Sequence, residues 1–151
     1  MADVVTPDVR SRMMAGIKGK NTKPELIIRR GLHAKGFRFR LHDRKLPGKP
    51  DLVFPKHCAV IFVHGCFWHG HDCHLFKWPK TREDFWRAKI TRNRQVDFNA
   101  SQALRKAGWR ECTVWECALK GRRQQPVEAT IRECCTWLQS KVENLDIRGL
   151  C

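Results

Sequence analysis

Hydrophobic and polar positions in the first third of the chain follow two periods, and each period predicts a different element. Thr22 can cap a helix, apolar side chains follow at helical spacing and Gly36 ends the pattern, so we predict a helix over residues 22–36. Residues 37–41, FRFRL, alternate with period two and predict a strand. The turn LPGKP then leads into a second short strand over residues 51–54.

The rest of the chain contains a more strongly apolar strand and two longer helical patterns. Residues 58–63, CAVIFV, form a continuous apolar run, which is typical of a central strand buried on both faces. Residues 82–106 predict a long helix, residues 109–115 another strand, and residues 126–142 a final amphipathic helix. The order helix, three strands, helix, strand, helix predicts a mixed sheet flanked by helices, which is an α/β layered domain.

Composition is ordinary for a globular protein, but the charge is not. A chain of 151 residues can bury the core of one domain. We place this domain at residues 22–151, after a polar, glycine-containing arm at residues 1–21. Thirty Lys and Arg against fifteen Asp and Glu give a formal charge of +15. This excess favours a polyanionic partner such as nucleic acid over a merely soluble basic protein.

The start of the chain and the cysteine count bear on its compartment. MADVVTPDVRSRMM lacks the apolar run of a signal peptide, and no stretch approaches the roughly 20 apolar residues of a membrane helix. We therefore expect a cytoplasmic protein without membrane contact, in which thiols stay reduced. The eight cysteines are then metal ligands or small buried side chains rather than disulfides. We predict that most of the scattered cysteines are packing residues; the scattered ones are Cys58, Cys112, Cys134, Cys135 and Cys151.

The stretch HGCFWHGHDCH, residues 64–74, gathers metal-binding side chains after the central strand. Zinc prefers tetrahedral sets of thiolates and imidazoles, with ligands clustered on one loop and one from elsewhere. Such a set follows if the strand before Cys117 lies parallel to the central strand: Cys66, His71, Cys73 and Cys117. A closed set of four favours a structural Zn²⁺ over a catalytic one. His74 competes with His71 for the imidazole position, and reduced cysteines without metal are the alternative.

A second cluster follows from the hairpin of strands 51–54 and 58–63. Asp51 begins the first strand and His64 follows the second, so both lie near one end of the hairpin, with His69 on the adjoining loop. A carboxylate beside a second oxygen ligand can hold Mg²⁺, and histidine can remove a proton from water. Beside a basic surface this set indicates metal-assisted phosphodiester hydrolysis; the alternative is that Asp51 is only a turn residue.

Four segments resemble the very short patch repair (Vsr) endonucleases: PGKPDLVF, CAVIFVHGCFWHGHDC, TREDFW and WRECTVWECAL. The resemblance runs from RSRMM to VWECALKGR and implies a three-layer fold like that of restriction endonucleases. It implies a bacterial enzyme, expected to be a monomer, that nicks DNA 5′ of the thymine in a T:G mismatch left by deamination of 5-methylcytosine. The implied partner is mismatched double-stranded DNA, with mismatch-repair proteins as a further candidate.

The resemblance also implies roles for single residues. Asp51 and the main-chain carbonyl of Val63 would bind Mg²⁺, although this chain has valine where the family commonly has threonine. His69 would be the general base, Glu25 would orient it, and His64 would assist at the phosphate. The family's zinc ligands fall on the same four residues as the spacing argument: Cys66, His71, Cys73 and Cys117.

The aromatic residues of the loop receive a role from the same resemblance. Phe67, Trp68 and Trp86 would wedge into DNA beside the mismatch, and Met14 in the arm would lie in the minor groove. Wedging costs a few kcal/mol of unstacking, which extra contacts to a bent duplex offset. From the residues alone, core positions for Phe67 and Trp68 are an equal alternative.

Two other functions fit parts of the pattern. A non-catalytic, zinc-stabilised DNA-binding module would bind without Mg²⁺ and without strand scission. A restriction-type endonuclease would cut matched duplex, but the Asp/Glu-x-Lys half of that motif does not follow Asp51. A zinc hydrolase would need an open zinc position, and four good ligands argue against one.

Overall fold

The structure is a computed structural model that describes residues 21–150, in which helix α1 (Lys23–Ala34) comes first. Its start agrees with the sequence prediction, because the Thr22 hydroxyl accepts a hydrogen bond from the Glu25 N–H at 3.4 Å. Gly36 follows the helix with φ +93°, a conformation that favours glycine. Residues 1–20 of the predicted arm, which include Met14, lie outside the described residues.

A five-stranded mixed sheet forms the centre of the fold, with its strands in chain order across the sheet. The first three strands pair antiparallel, and the last two add parallel to the third. The strands are β1 (Arg40–Leu41), β2 (Leu52–Phe54), β3 (Ala59–His64), β4 (Arg110–Trp115) and β5 (Asn144–Ile147). The predicted mixed sheet with flanking helices is therefore confirmed.

Two pairings in this sheet position the candidate site. β2 and β3 form a hairpin in which Leu52 faces Ile61, so the start of β2 lies beside the end of β3. β3 and β4 run parallel with His64 facing Trp115, so both strands end at the same edge. The loop after β3 and the segment after β4 therefore meet at that edge.

Helices cover both faces of the sheet. After β4 come α3 (Glu116–Leu119) and α4 (Val127–Leu138), and α4 packs with α1 on one face. The core of this face includes Ile28, Leu52, Phe54, Ile61 and Ile131. Helix α2 (Glu83–Lys106) joins β3 to β4, and its Leu104 packs with the alternate strand residues Val53, Val60 and Phe62. Alternation along the strands thus supplies two apolar faces, and the result is three layers.

Several predicted boundaries are wrong. The strand over 37–41 shortens to Arg40–Leu41, because Phe37 and Phe39 pack against the core before the pairing begins. The last helix ends at Leu138 rather than at residue 142. Helix α3 and strand β5 were not predicted.

The cysteines outside the metal motif divide by burial. Cys112 and Cys134 are buried in the core and Cys135 packs against it, as expected, whereas Cys58 is exposed in a left-handed turn. The seven cysteines within residues 21–150 are all free thiols. Of the helices in this part of the chain, none has the length and apolar character needed to cross a membrane.

Candidate functional site

Three groups of polar side chains meet at the edge of the sheet where β3 and β4 end. The first, the cysteine–histidine cluster, is the set predicted from spacing: Cys66, His71, Cys73 and Cys117. One ligand atom from each lies within 4.8 Å of all the others. The His71 Nδ1 atom lies 3.5 Å from Cys66 Sγ and 3.6 Å from Cys117 Sγ. His74 lies outside this group, so the structure favours His71 for the imidazole position.

The surroundings of the cysteine–histidine cluster suit bound thiolates. The Cys117 N–H donates to Cys66 Sγ at 3.3 Å, and the Gly149 N–H donates to Cys117 Sγ at 3.2 Å. Burial raises the pKa values of both thiols, so a bound cation would be needed to hold them deprotonated at neutral pH. The His71 ring stacks on Trp115 with centroids 3.9 Å apart, which fixes its orientation. Three cysteine sulfurs and one histidine nitrogen make four donors, which suits the tetrahedral coordination of zinc.

The second group, which we name the carboxylate site, consists of Glu25, His42 and Asp51. Asp51 precedes β2, and its Oδ2 accepts a hydrogen bond from the Val63 N–H at 2.7 Å. The predicted closeness of Asp51 to the end of the third strand is therefore present. Burial raises the pKa of Asp51 to about 7, and the neighbouring Glu25 carboxylate adds to the shift, whereas the Val63 hydrogen bond opposes it. Two adjacent carboxylates, one buried at 1% exposure, form a place where a cation would relieve repulsion.

The third group is a histidine pair with a carboxylate. The rings of His64 and His69 stack with centroids 3.7 Å apart and planes 4° apart. Burial, followed by the neighbouring His69, lowers the pKa of His64 to about 3, so His64 is neutral at pH 7. His69 Nδ1 lies 2.5 Å from Asp97 Oδ2 on α2. This contact leaves His69 Nε2 as the nitrogen that can take a proton.

The structure corrects the partner expected for His69. Glu25 was expected to orient this histidine, but its side chain contacts Asn21, Arg29 and His42 instead. The reason is the position of α1, which places Glu25 next to the hairpin rather than beside the loop. Asp97 was missed, although it is the only acidic residue of α2 beyond the first turn of the helix.

A groove of about 840 Å³ lies at this sheet edge beside the histidine pair. Its lining includes Thr22 at the start of α1, Val63 and His64 at the end of β3, and Lys89 and Asn93 on α2. His69, Phe67 and Trp68 also line it. The groove therefore brings Val63, the hydrogen-bond partner of Asp51, together with His69 and with a cationic and an amide side chain of α2.

Phe67, Trp68 and Trp86 form an aromatic cluster beside this groove. Phe67 lies 5.3 Å from both tryptophan rings, and the two tryptophans are 5.7 Å apart. All three are half-buried, and none belongs to either core cluster of the sheet. Phe67 and Trp68 therefore do not occupy core positions of the sheet.

Comparison with known proteins gives a consistent result. A family model described as DNA mismatch endonuclease Vsr matches residues 2–75. The DNA mismatch endonuclease Vsr of Escherichia coli (strain K12) is 40% identical over 152 residues, which cover 99% of this chain and 97% of that protein. The type II nicking enzyme V.XorIIP of Xanthomonas oryzae pv. oryzae is 49% identical over 119 residues, covering 79% and 88%. The type II nicking enzyme V.NmeAIP of Neisseria meningitidis is 44% identical over 122 residues, covering 81% and 87%.

Proposed function

Because the chain belongs to the DNA mismatch endonuclease Vsr family, we propose that it nicks one strand of double-stranded DNA at a T:G mismatch. The cut lies 5′ of the mismatched thymine and begins very short patch repair. The observation that carries this proposal is that the Asp51–Val63 contact and the His69–Asp97 pair lie at the same sheet edge, with Val63 and His69 lining one groove. The positive charge of +15 suits a DNA substrate.

The proposed catalytic domain, residues 22–151, has a fold like that of restriction endonucleases. Its support is the mixed sheet with helices on both faces and an aspartate at the start of a hairpin strand. Residues 1–21 remain the proposed arm, with Met14 contacting the minor groove.

The carboxylate site fits a hard divalent cation, since oxygen ligands there are concentrated and partly buried. Asp51 and the main-chain carbonyl of Val63 would hold Mg²⁺. Bound there, the ion would supply Lewis-acid polarisation of the scissile phosphate. Asp51 must be ionised to bind Mg²⁺. Because its pKa is raised, a nearby positive charge is needed to keep the carboxylate ionised at neutral pH.

The proton chemistry falls to the two histidines. His69 accepts the proton of the attacking water at Nε2, while Asp97 holds Nδ1 and stabilises the charged ring. His64 is neutral at pH 7, and its buried Nδ1 has no hydrogen-bond partner. The His64 side chain lines the groove, and a neutral imidazole there can donate a hydrogen bond to a phosphate oxygen, which gives His64 a role at the phosphate.

The loop between β3 and α2 carries the proposed general base, His69, and two of the three aromatic residues proposed to enter DNA, Phe67 and Trp68. The cysteine–histidine cluster would bind a structural Zn²⁺, which would fix residues 66–73 of this loop to α3. Phe67, Trp68 and Trp86 would then enter the duplex beside the mismatch, where an unpaired or weakly paired step costs less to open.

A strand-specific nicking assay tests the proposal. Duplexes that carry one T:G mismatch in varied flanking sequence are compared with T:A and C:G duplexes, each with Mg²⁺ and with EDTA. We expect Mg²⁺-dependent nicking of the thymine strand only, and none by Asp51→Asn. Glu128→Gln, which removes an equal charge at an exposed site on α4, should nick normally. Cutting of matched duplex, or binding without cutting, would refute the proposal.

A further inference from the structure

His42 lies directly across the hairpin ladder from Asp51. The β1–β2 register pairs Leu41 with Leu52, and the next pair is closed by the His42 N–H, which donates to the Asp51 carbonyl at 3.1 Å. Side chains of directly opposed residues in an antiparallel pair lie on the same face, about 4.5–5.5 Å apart at Cβ. His42 itself has left the β conformation, and its place beside Asp51 is shown by distance: the ligand atoms of the two side chains lie within 4.8 Å of each other.

His42 follows β1 in an unusual backbone conformation. Its φ is +50°, a left-handed conformation that few side chains adopt and that histidine, asparagine and aspartate tolerate better than most. The side chain is 22% exposed, and its Nε2 lies 2.7 Å from Glu25 Oε2. The ring is thus directed at the carboxylates from a strained backbone position.

The three side chains of the carboxylate site have the spacing of ligands around one ion. Their ligand atoms all lie within 4.8 Å of one another. Ligands about 2.1 Å from a common cation lie about 3.0 Å apart when adjacent and about 4.2 Å apart when opposite. His42 Nε2 and Glu25 Oε2 need to separate only slightly to reach this range, and the proton between them would leave to solvent.

We propose that His42 Nε2 is a ligand of the cation held by Asp51, so that the site combines imidazole nitrogen with carboxylate oxygen. This inference rests on the proposed cation site and adds to it a chemical preference. Mg²⁺ favours all-oxygen surroundings and keeps its waters, whereas Mn²⁺ and later transition-metal ions accept imidazole more readily. The site therefore binds Mn²⁺ more tightly than Mg²⁺, and His42 supplies much of the difference.

Electron paramagnetic resonance of Mn²⁺ tests this ligand without an activity readout. Mn²⁺ is added to the full-length, zinc-loaded protein, and electron spin echo modulation is recorded to detect directly bonded nitrogen. We expect nitrogen modulation in the wild type, and its change when histidine is labelled with ¹⁵N. His42→Asn suits the left-handed backbone and should abolish the modulation. It should also weaken Mn²⁺ binding about tenfold, with a smaller loss for Mg²⁺ measured by competition.

Two further variants make the outcome specific. His33→Gln removes an exposed imidazole from α1 and should leave both the modulation and the affinity unchanged. Asp51→Asn should lose Mn²⁺ binding, as the proposed function requires. If Asp51→Asn loses binding while His42→Asn keeps the nitrogen modulation, only the inference about His42 is overturned. If Asp51→Asn binds Mn²⁺ as the wild type does, the cation site of the proposed function is overturned as well.

Discussion

Replacing Asp51 by asparagine should remove nicking and, at neutral pH, stabilise the protein that has no cation in the carboxylate site. Burial, with a smaller contribution from Glu25, raises the pKa of Asp51 from 3.8 to about 7 in the folded state. A carboxyl group with a raised pKa stabilises the fold while it is protonated. That stability is lost as the pH rises from the unfolded value through the folded one. Asparagine has the same shape and can still accept the Val63 N–H, but it carries no charge.

The size of the effect follows from the shift. A rise of about three pKa units corresponds to about 4 kcal/mol of folding free energy lost by the wild type at high pH. About half of that loss occurs below pH 5.5, so the stability advantage of Asp51→Asn should grow by about 2 kcal/mol between about pH 5.5 and pH 8.5.

Urea unfolding of the zinc-loaded protein, followed by tryptophan fluorescence at both pH values, measures this difference. Added Mg²⁺ should raise the stability of the wild type at the higher pH and leave Asp51→Asn unchanged, because the ion does not bind without the Asp51 carboxylate. Glu128→Gln should show no such pH-dependent difference, since its carboxylate is exposed. An Asp51→Asn protein whose stability relative to the wild type is the same at both pH values would refute the reasoning.

Three further predictions concern the loop between β3 and α2. Asp97→Asn should lower kcat for nicking by about a hundredfold or more through loss of the charge that supports the base. Its mismatch binding, measured by fluorescence anisotropy, should change little, and an unchanged kcat would contradict the role. Gly70→Ala should destabilise the protein by about 1–3 kcal/mol in urea unfolding, because φ is +60° and the new methyl group would meet two α2 side chains at 2.6 Å. Gly36 also has a positive φ, but open space surrounds the position of a new methyl group, so Gly36→Ala should lose less stability. Equal losses of stability in the two variants would show that the clash at Gly70 is absent. Cys117→Ser should lose bound zinc, measured by elemental analysis, and unfold at lower temperature, whereas Cys58→Ser should keep both; zinc retained in Cys117→Ser would exclude it as a ligand.

The contacts of the site that could be predicted from the sequence are those whose positions are set by the ends of strands. The apolar run of β3 and the strand before Cys117 are local patterns, and their parallel pairing brings Cys117 to Cys66. The short turn between β2 and β3 likewise fixes Asp51 against Val63. In both cases a strand end sets the position of the side chain, and strand ends are visible in the sequence.

The contacts between helices and the sheet edge could not be predicted in the same way. The apolar stripe of α2 indicates which face is buried but not which turn lies over the loop, so Asp97 was missed as the partner of His69. The position of α1 decides in the same way that Glu25 contacts His42. Strand β5 was missed because it is short and carries exposed Asn144 and Asp146 at alternate positions.

The contacts of the loop between β3 and α2 explain how half-exposed aromatic residues can stand among candidate metal ligands. Asn93 on α2 donates to the Trp68 carbonyl at 2.8 Å, and the Arg94 guanidinium donates to the Gly70 carbonyl. Together with the cysteine–histidine cluster, these bonds hold the backbone on both sides of His69, which is one residue from Trp68. Ordering such a loop without them would cost about 1–2 kcal/mol per residue, more than partial burial of the rings would return. Because the same short backbone segment carries the Trp68 ring and the proposed base His69, the bonds that fix the position of one also fix the position of the other.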